Sequence, residues 1–276
     1  MLSLTDINTL KRLIKEVSIT PTRASGQNFL ICDEPIKAIV GELDPKKKQV
    51  TELGAGIGPL TMALLDGGWQ VRAIERDEKL ADLLKRYAAR QNKLSLKLEV
   101  SDLRYVDWTW GRTSYQLVGN IPYNLSGLIL RRITQLDPAP ERAVLMVQKE
   151  VAERITTEPP NMSLVGLAIQ LWGRGKKVTD VPSGCFWPEP EVRSAVILLE
   201  PKGVMGSGER EKIIGVAKTF FQHKRKQMGG VLVKSFGFGQ NMAEDLLKKN
   251  GLLPTQRPQE LSVKQWRRLA SEIDNK

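Results

Sequence analysis

Within four positions, the segment QLVGNIPYNLSG (116–127) runs from an apolar stretch into an amide, a proline and an aromatic ring. Asn120 brings one carbonyl acceptor and two N–H donors. Pro122 cannot donate to a strand ladder, so the strand must end there and the chain must bend. Tyr123 offers a flat face to a base. Chemistry on an exocyclic amine needs these parts: an acceptor that orients the nitrogen lone pair, and an aromatic wall that holds the ring. The same residues also suit a plain Asn-Pro turn with a half-buried tyrosine, so the rest of the chain has to decide.

Three further stretches bear on that choice. In TELGAGIGPLT a strand runs into Gly54, Gly56 and Gly58 before a helix begins. Glycines let a backbone turn sharply and approach a ligand closely. Glu75 follows Gly54 by 21 residues at the tip of the next strand, the spacing at which an acid accepts from ribose hydroxyls. The spacing G-x-G-x-G followed by Pro59 departs from the dinucleotide pattern, so a nucleoside-bearing ligand is favoured and a pyrophosphate is not implied. Asp102, directly after an apolar strand, could accept from an adenine amino group or simply cap a turn. In CFWPEPEVRSAV, Phe186 and Trp187 sit beside Pro188 and Pro190. Phe186 is placed either to pack in a core or to close a sandwich with Tyr123 around a single-stranded or flipped base.

These residues need a scaffold that brings strand ends together, and the patterning supplies one. Apolar runs such as QVTELG, QVRAIE, LSLKLEV, YQLVGN, AVLMVQK and SAVILLE alternate with helical stretches through the first 200 residues. In DEKLADLLKRYAAR, Leu80, Leu83, Leu84, Tyr87 and Ala88 share one face at helical spacing. Strand–helix alternation predicts an α/β fold: an open, mostly parallel sheet covered by helices on both faces. The Gly-rich stretch PKGVMGSGER (201–210) predicts a boundary, giving a catalytic domain over 1–200 and a small all-helical domain over 201–276. Three helical patterns follow the boundary, the last opening on Ser262 and Gln265 in capping-box spacing.

Composition bounds the function. The 276 residues carry 42 Lys and Arg against 31 Asp and Glu, a net charge of +11. Residues 200–276 hold 15 basic and 8 acidic residues, so a short segment carries most of the excess. A polyanion such as nucleic acid would explain that, as would a solvated basic surface. No apolar run approaches the roughly 20 residues of a membrane span, and the N-terminus reads as an amphipathic helix instead of a signal peptide. Cys32 and Cys185 are far apart and in no metal-like spacing, so neither a disulfide nor a zinc site is expected. A reducing, cytoplasmic setting and no metal are expected.

Taken in order, the motifs resemble one family nearly end to end. SGQNFL (25–30), ELGAGIGPLT, ERD, SDL, GNIPYN, MVQKEVAERI, FWPEPEVRSAV and FFQHKRKQMGGVL are similar to the motifs of the bacterial small-subunit (16S) rRNA adenine N6-dimethyltransferases. Each motif alone is shared with many methyltransferases; the ordered set is specific. The resemblance implies a Rossmann-like, S-adenosylmethionine-dependent methyltransferase sheet and a helical domain that docks RNA. It implies that Asn28 and Leu30 close over the methionine and ribose of S-adenosyl-L-methionine, that Gly54 and Gly56 carry the cofactor loop, that Glu75 takes the ribose hydroxyls and that Asp102 meets the cofactor's adenine. Asn120 would touch both the cofactor and the target N6, from which it would accept together with the Ile121 or Pro122 backbone, and Tyr123 and Phe186 would stack on the target adenine. Lys224, Arg225 and Lys226, with Lys248 and Lys249, are candidates for phosphate contacts, and each also suits a solvated helix face. The implied substrate is 16S rRNA in the small ribosomal subunit or its precursor, dimethylated at two adjacent adenosines near its 3′ end by a monomeric enzyme. Two other readings remain: a 23S rRNA adenine methyltransferase of the macrolide-resistance type, and a non-catalytic RNA-binding assembly factor. Met162 and Ser163, Gly230 and His223 depart from the family's usual pattern and bear on RNA docking more than on the reaction.

Overall fold

A computed structural model describes residues 3–19, 28–203 and 205–274. Ser25 to Gln27 of the SGQNFL motif lie outside the described residues. The first helix, α1 (Ile7–Glu16), starts where Asp6 accepts from the Thr9 N–H at 2.7 Å. A short strand β1 (Phe29–Leu30) leads into α2 (Asp33–Gly41). Then come β2 (Gln49–Leu53), α3 (Pro59–Asp66), β3 (Gln70–Glu75), α4 (Glu78–Arg90), β4 (Leu96–Val100), β5 (Gln116–Asn120), α5 (Ser126–Ile133) and β6 (Arg142–Gln148). The chain continues through α6 (Lys149–Ile155), α7 (Leu164–Trp172), β7 (Gly173–Val181), β8 (Phe186–Trp187) and β9 (Ser194–Pro201). Four helices follow: α8 (Ser207–Gln222), α9 (Met228–Phe236), α10 (Gln240–Lys249) and α11 (Val263–Asp274).

Seven strands form one sheet in the order β4-β3-β2-β5-β6-β9-β7. Strands β4 to β6 pair in parallel, and β9 runs antiparallel to β6. The α/β sheet expected from the alternation is therefore observed, with an antiparallel strand inserted beyond β6. Its central strands are near-continuous apolar runs: Val144, Leu145, Met146 and Val147 are fully buried, as strands covered on both faces must be. After β2 the chain builds β3 and β4 on one side, then returns to lay β5 on the other. The reversal puts a crevice at the carboxyl ends of β2 and β5, where open α/β sheets bind ligands.

The described residues divide into two compact units. One holds residues up to Ala152 together with Lys176–Pro201; the other holds Glu153–Gly175 and Lys202–Lys276. Residues 153–175, which the sequence reading leaves in the first domain, thus belong with the helical unit. The reason is packing: Leu167 and Leu171 of α7 join one buried cluster with Ile213, Phe220, Leu232 and Trp266. Met162 and Ser163 have structural work in this unit. Met162 is buried in that cluster, and Ser163 caps α7 by accepting from the Gly166 N–H at 2.9 Å. Helix α9 is absent from the sequence reading because Gly229 and Gly230 dilute its helical pattern. The Ser262–Gln265 capping box forms as expected, with Ser262 N–H donating to Gln265 Oε1 at 2.9 Å. No helix among the described residues is long and apolar enough to cross a membrane.

One expectation is overturned. Cys32 and Cys185 are joined by a disulfide, with Cα atoms 5.1 Å apart, inside the usual range for such a bond. Their sequence separation of 153 residues hides the proximity. Strands β1 and β8 pair antiparallel, Phe29 opposite Trp187 and Leu30 opposite Phe186, and this ribbon carries the two cysteines together.

Candidate active site

A cavity of about 830 Å³ opens at the β2–β5 switch point, within the size range of small-molecule sites. It is lined by Asn28, Leu30, Gly54, Gly56, Glu75, Asp102, Asn120, Ile121, Pro122 and Tyr123. Ten of the eleven candidate catalytic and cofactor residues therefore converge on one space. Phe186 does not line it; the ring is 2% exposed and packs in the core of the first unit. Lys224, Arg225 and Lys226 lie exposed in the turn between α8 and α9 of the helical unit.

The glycine loop shows why its spacing matters. Gly54 has φ +79° and Gly58 φ +90°, conformations that residues with a Cβ rarely adopt. A Cβ on Gly58 would also run into Leu84 of α4. Glu75, at the end of β3, holds the loop from the other side. Its carboxylate accepts from the Gly56 N–H at 2.8 Å and the Asp77 N–H at 2.9 Å. Burial pushes its pKa up, against those hydrogen bonds.

Glu52, on β2 and lining the cavity floor, was not singled out from the sequence. It is 1% exposed and accepts from Thr61 Oγ1 at 2.5 Å. Burial pushes its pKa up to about 8, which favours the protonated acid at neutral pH. The signal was available: it is the carboxylate two residues before Gly54, near the end of β2.

Asp102 sits in the loop after β4. Its oxygens accept from Arg104 Nε at 3.0 Å and Nη2 at 2.7 Å, and Arg76 lies 3.9 Å away. These bonds hold the carboxyl well down, at about 2. The loop is pinned from beneath by Arg132 of α5, which donates to the Leu103 carbonyl at 2.6 Å and to the Val106 carbonyl. The Arg132 guanidinium lies 4.3 Å from the centre of the buried Trp108 ring.

The amide at the end of β5 has one end committed. Asn120 Nδ2 donates to the Asn28 carbonyl at 3.0 Å, which leaves Oδ1 as an acceptor with no partner among the described residues. The Ile121 N–H donates to the Met146 carbonyl at 3.4 Å, and the Pro122 carbonyl accepts from Leu125 N–H at 2.9 Å. Pro122 thus begins a single helical turn that swings Tyr123 over the cavity. The Tyr123 hydroxyl is 2.6 Å from Ser194 Oγ, whose side chain is fully buried on β9. One hydrogen bond therefore fixes the ring's tilt, and burial pushes the phenol's pKa up.

Residues 21–275 match the family described as ribosomal RNA adenine dimethylase. The chain belongs to that family. Among its relatives, a protein of Dehalococcoides mccartyi named ribosomal RNA small subunit methyltransferase A is 31% identical over 266 residues, covering 95% of this chain and 91% of the relative. A crystal structure of a dimethyladenosine transferase from Plasmodium falciparum superposes with a TM-score of 0.75 at 22% identity, covering 90% of this chain and 98% of that one. The 23S rRNA methyltransferase ErmE superposes with a TM-score of 0.69 at 24% identity, over 90% of this chain and all of that one. At these identities both superpositions establish the fold: a Rossmann-like methyltransferase sheet with an appended helical region. As a member of this family the protein is an rRNA adenine dimethyltransferase, and the cavity at the strand ends is its candidate site.

The donor set of the cavity suits a cationic nucleoside. Three carboxylic side chains, Glu52, Glu75 and Asp102, face it alongside the apolar walls of Leu30, Ile57 and Leu103. That combination can accept from ribose hydroxyls and an ammonium group while covering a purine. Among the described residues, no group of three or more His, Cys, Asp or Glu is arranged to hold a metal ion.

Proposed function

We propose that this cavity binds S-adenosyl-L-methionine beside a flipped adenine of 16S rRNA and dimethylates N6 of two adjacent adenosines near the 3′ end, in small-subunit maturation. The observation that carries the reading is the orientation of Asn120. Its N–H end is tied to the Asn28 carbonyl, so its oxygen is the end offered to the cavity. An acceptor is what an adenine N6–H₂ group requires.

When bound, the cofactor supplies an activated methyl group. Gly54 and Gly56 give it a loop without side chains, Glu75 accepts from its ribose, and Asp102, already ionised, accepts from its adenine. Asn28 and Leu30 cover its methionine end. On the substrate side, Asn120 Oδ1 accepts an N6–H and turns the nitrogen lone pair away from the ring, which otherwise delocalises it. The Ile121 and Pro122 backbone is the second acceptor in this scheme, with the Pro122 carbonyl already accepting once, from Leu125. Tyr123, steadied by Ser194, forms the wall against the adenine. Orientation of this kind can contribute roughly 7–11 kcal/mol. The proton leaves N6 to water after each transfer, and no strong base is required of the chain. The exposed basic turn at Lys224, Arg225 and Lys226 contacts phosphates.

The test is transfer of labelled methyl from S-adenosylmethionine to unmethylated small subunits, with the modified nucleoside identified by mass spectrometry. Dimethyladenosine in 16S rRNA is expected. Label confined to 23S rRNA would move the reading to the resistance type. Cofactor binding without any label would support an assembly factor.

A further inference from the structure

The disulfide lies two residues beyond Leu30, which lines the site, and ties that segment to the start of β8. Cys32 follows Leu30 and Ile31, and the strand before it begins at Phe29, directly after Asn28, whose carbonyl orients Asn120. Cys185 directly precedes Phe186, and its carbonyl accepts from the Ile31 N–H at 2.8 Å. The β1–β8 ribbon is two residues long on each side. So short a ribbon is marginal without help. The cross-link closes it at the end opposite Asn28 and fixes the segment from which the Asn28 carbonyl projects. Both cysteines are only half-buried, within reach of a reductant. Where such a bond forms in a reducing compartment, it is of the reversible, sensing type.

We propose that Cys32 and Cys185 form a reversible thiol–disulfide site whose oxidation state sets how firmly the Asn28 carbonyl holds Asn120. The partner is a dithiol reductant, small or protein-borne. A reductant thiolate attacks one cysteine sulfur, the S–S bond breaks, and the other cysteine leaves as a thiolate. The second reductant thiol then displaces the first cysteine. The enzyme gains two electrons and two protons as a pair of thiols, and the reductant ends as its own disulfide. In the oxidised form the ribbon is stapled and the Asn120 oxygen is pre-oriented. In the reduced form the 28–32 segment keeps only the short ribbon and the core packing of Phe29 and Leu30, the Cys32 end is no longer stapled, and methyl transfer slows.

The inference rests on the proposed role of Asn120, and its test separates the two. The full-length protein is prepared oxidised and, after dithiothreitol and desalting under inert gas, reduced. Intact mass after alkylation counts free thiols, hydrogen exchange follows residues 28–32, and single-turnover transfer to unmethylated small subunits gives the rate. Oxidised protein should take up no alkylating group and reduced protein two. Reduction should speed exchange at 28–32 and slow transfer by roughly tenfold, the scale of a modest loss of orientation, at a temperature where far-UV circular dichroism shows both forms folded. The double variant Cys32→Ser with Cys185→Ser should match the reduced form and ignore dithiothreitol. Two free thiols in air-isolated protein, or equal exchange and equal rates in the two forms, would overturn the proposal. So would a double variant that keeps the oxidised rate. Absence of methylation in both forms would tell against the reaction, and the exchange difference would then still decide the staple.

Discussion

At the scale of single residues, the site is built from groups whose hydrogen bonds leave one atom over. Asn120 is the clearest case, because the Asn28 carbonyl takes its N–H end. Asn120→Ala should therefore lower the single-turnover rate by roughly 100-fold, the loss seen when one transition-state hydrogen bond is removed. Cofactor affinity should change far less. A variant with full turnover would remove the amide from the mechanism. Glu52 gives a second test, through pH. Its folded pKa of about 8 lies above the ordinary value of 4.5, so between those pH values the folded state holds a proton that the unfolded chain releases. Stability therefore falls as pH rises through that window. Glu75, also raised by burial, contributes a slope of the same sign. Glu52→Gln should remove its share, so the variant gains on the parent at pH 8 relative to pH 5 in urea denaturation. Parallel slopes would mean that Glu52 is ionised in the folded protein. Most of this site could be read from the sequence, since Gly54, Glu75, Asp102 and Asn120 each close a strand and strand ends meet in this fold. Ser194 and Arg132 could not be read, because their partners lie 71 and 26–29 residues away and nothing local marks them.

At the scale of elements, position is transmitted by loops that strong anchors hold still. The loop after β4 carries Asp102 and has no regular structure of its own. Arg132 of α5 fixes it through the Leu103 and Val106 carbonyls, with its guanidinium over Trp108. Hydrogen bonds to a charged donor contribute about 1.5–3 kcal/mol each, and a bond partner left unpaired in the interior adds to the loss. Arg132→Met keeps the aliphatic stem and removes those donors. It should cost roughly 2–3 kcal/mol in urea denaturation and weaken cofactor binding in calorimetry while leaving the far-UV spectrum unchanged. Unaltered cofactor affinity would show that the loop holds Asp102 without Arg132. The elements themselves were largely legible: β2, β3, β5, β6 and β9 are apolar runs bounded by breakers, and α4 has one apolar face. What escaped was short or diluted. The ribbon of β1 and β8 offers two residues a side, too few for a period to show, and with it went the pairing of Cys32 and Cys185. Helix α9 opens on Met-Gly-Gly, which reads as a loop until Met228, Val231 and Leu232 are seen buried together.

At the scale of the whole molecule, charge assigns the work. The chain carries +11, and residues 200–276 hold 15 basic against 8 acidic residues. Not every cation there is available to a partner. Lys249 pairs with Glu272 at 2.8 Å and Arg267 with Glu209 at 2.7 Å. Lys224, Arg225 and Lys226, by contrast, are exposed and carry no ion pair among the described residues. They stand in the turn between α8 and α9, where backbone bonds such as Lys226 N–H to the His223 carbonyl at 2.7 Å fix the main chain and leave the side chains outward. A cluster of that kind binds phosphates through counterion release, which makes affinity depend steeply on salt. Each phosphate contact contributes about 0.7–0.9 to the slope of log affinity against log salt. Replacing all three by Ala should therefore lower the magnitude of that slope for rRNA by about 2–3. It should also raise KM for small subunits while leaving cofactor affinity and the melting temperature near those of the parent. Filter binding over a salt series measures the slope directly. An unchanged slope would place the phosphate contacts elsewhere on the basic surface, and a changed slope with a lost melting transition would mean that the turn supports the helical unit instead of the RNA.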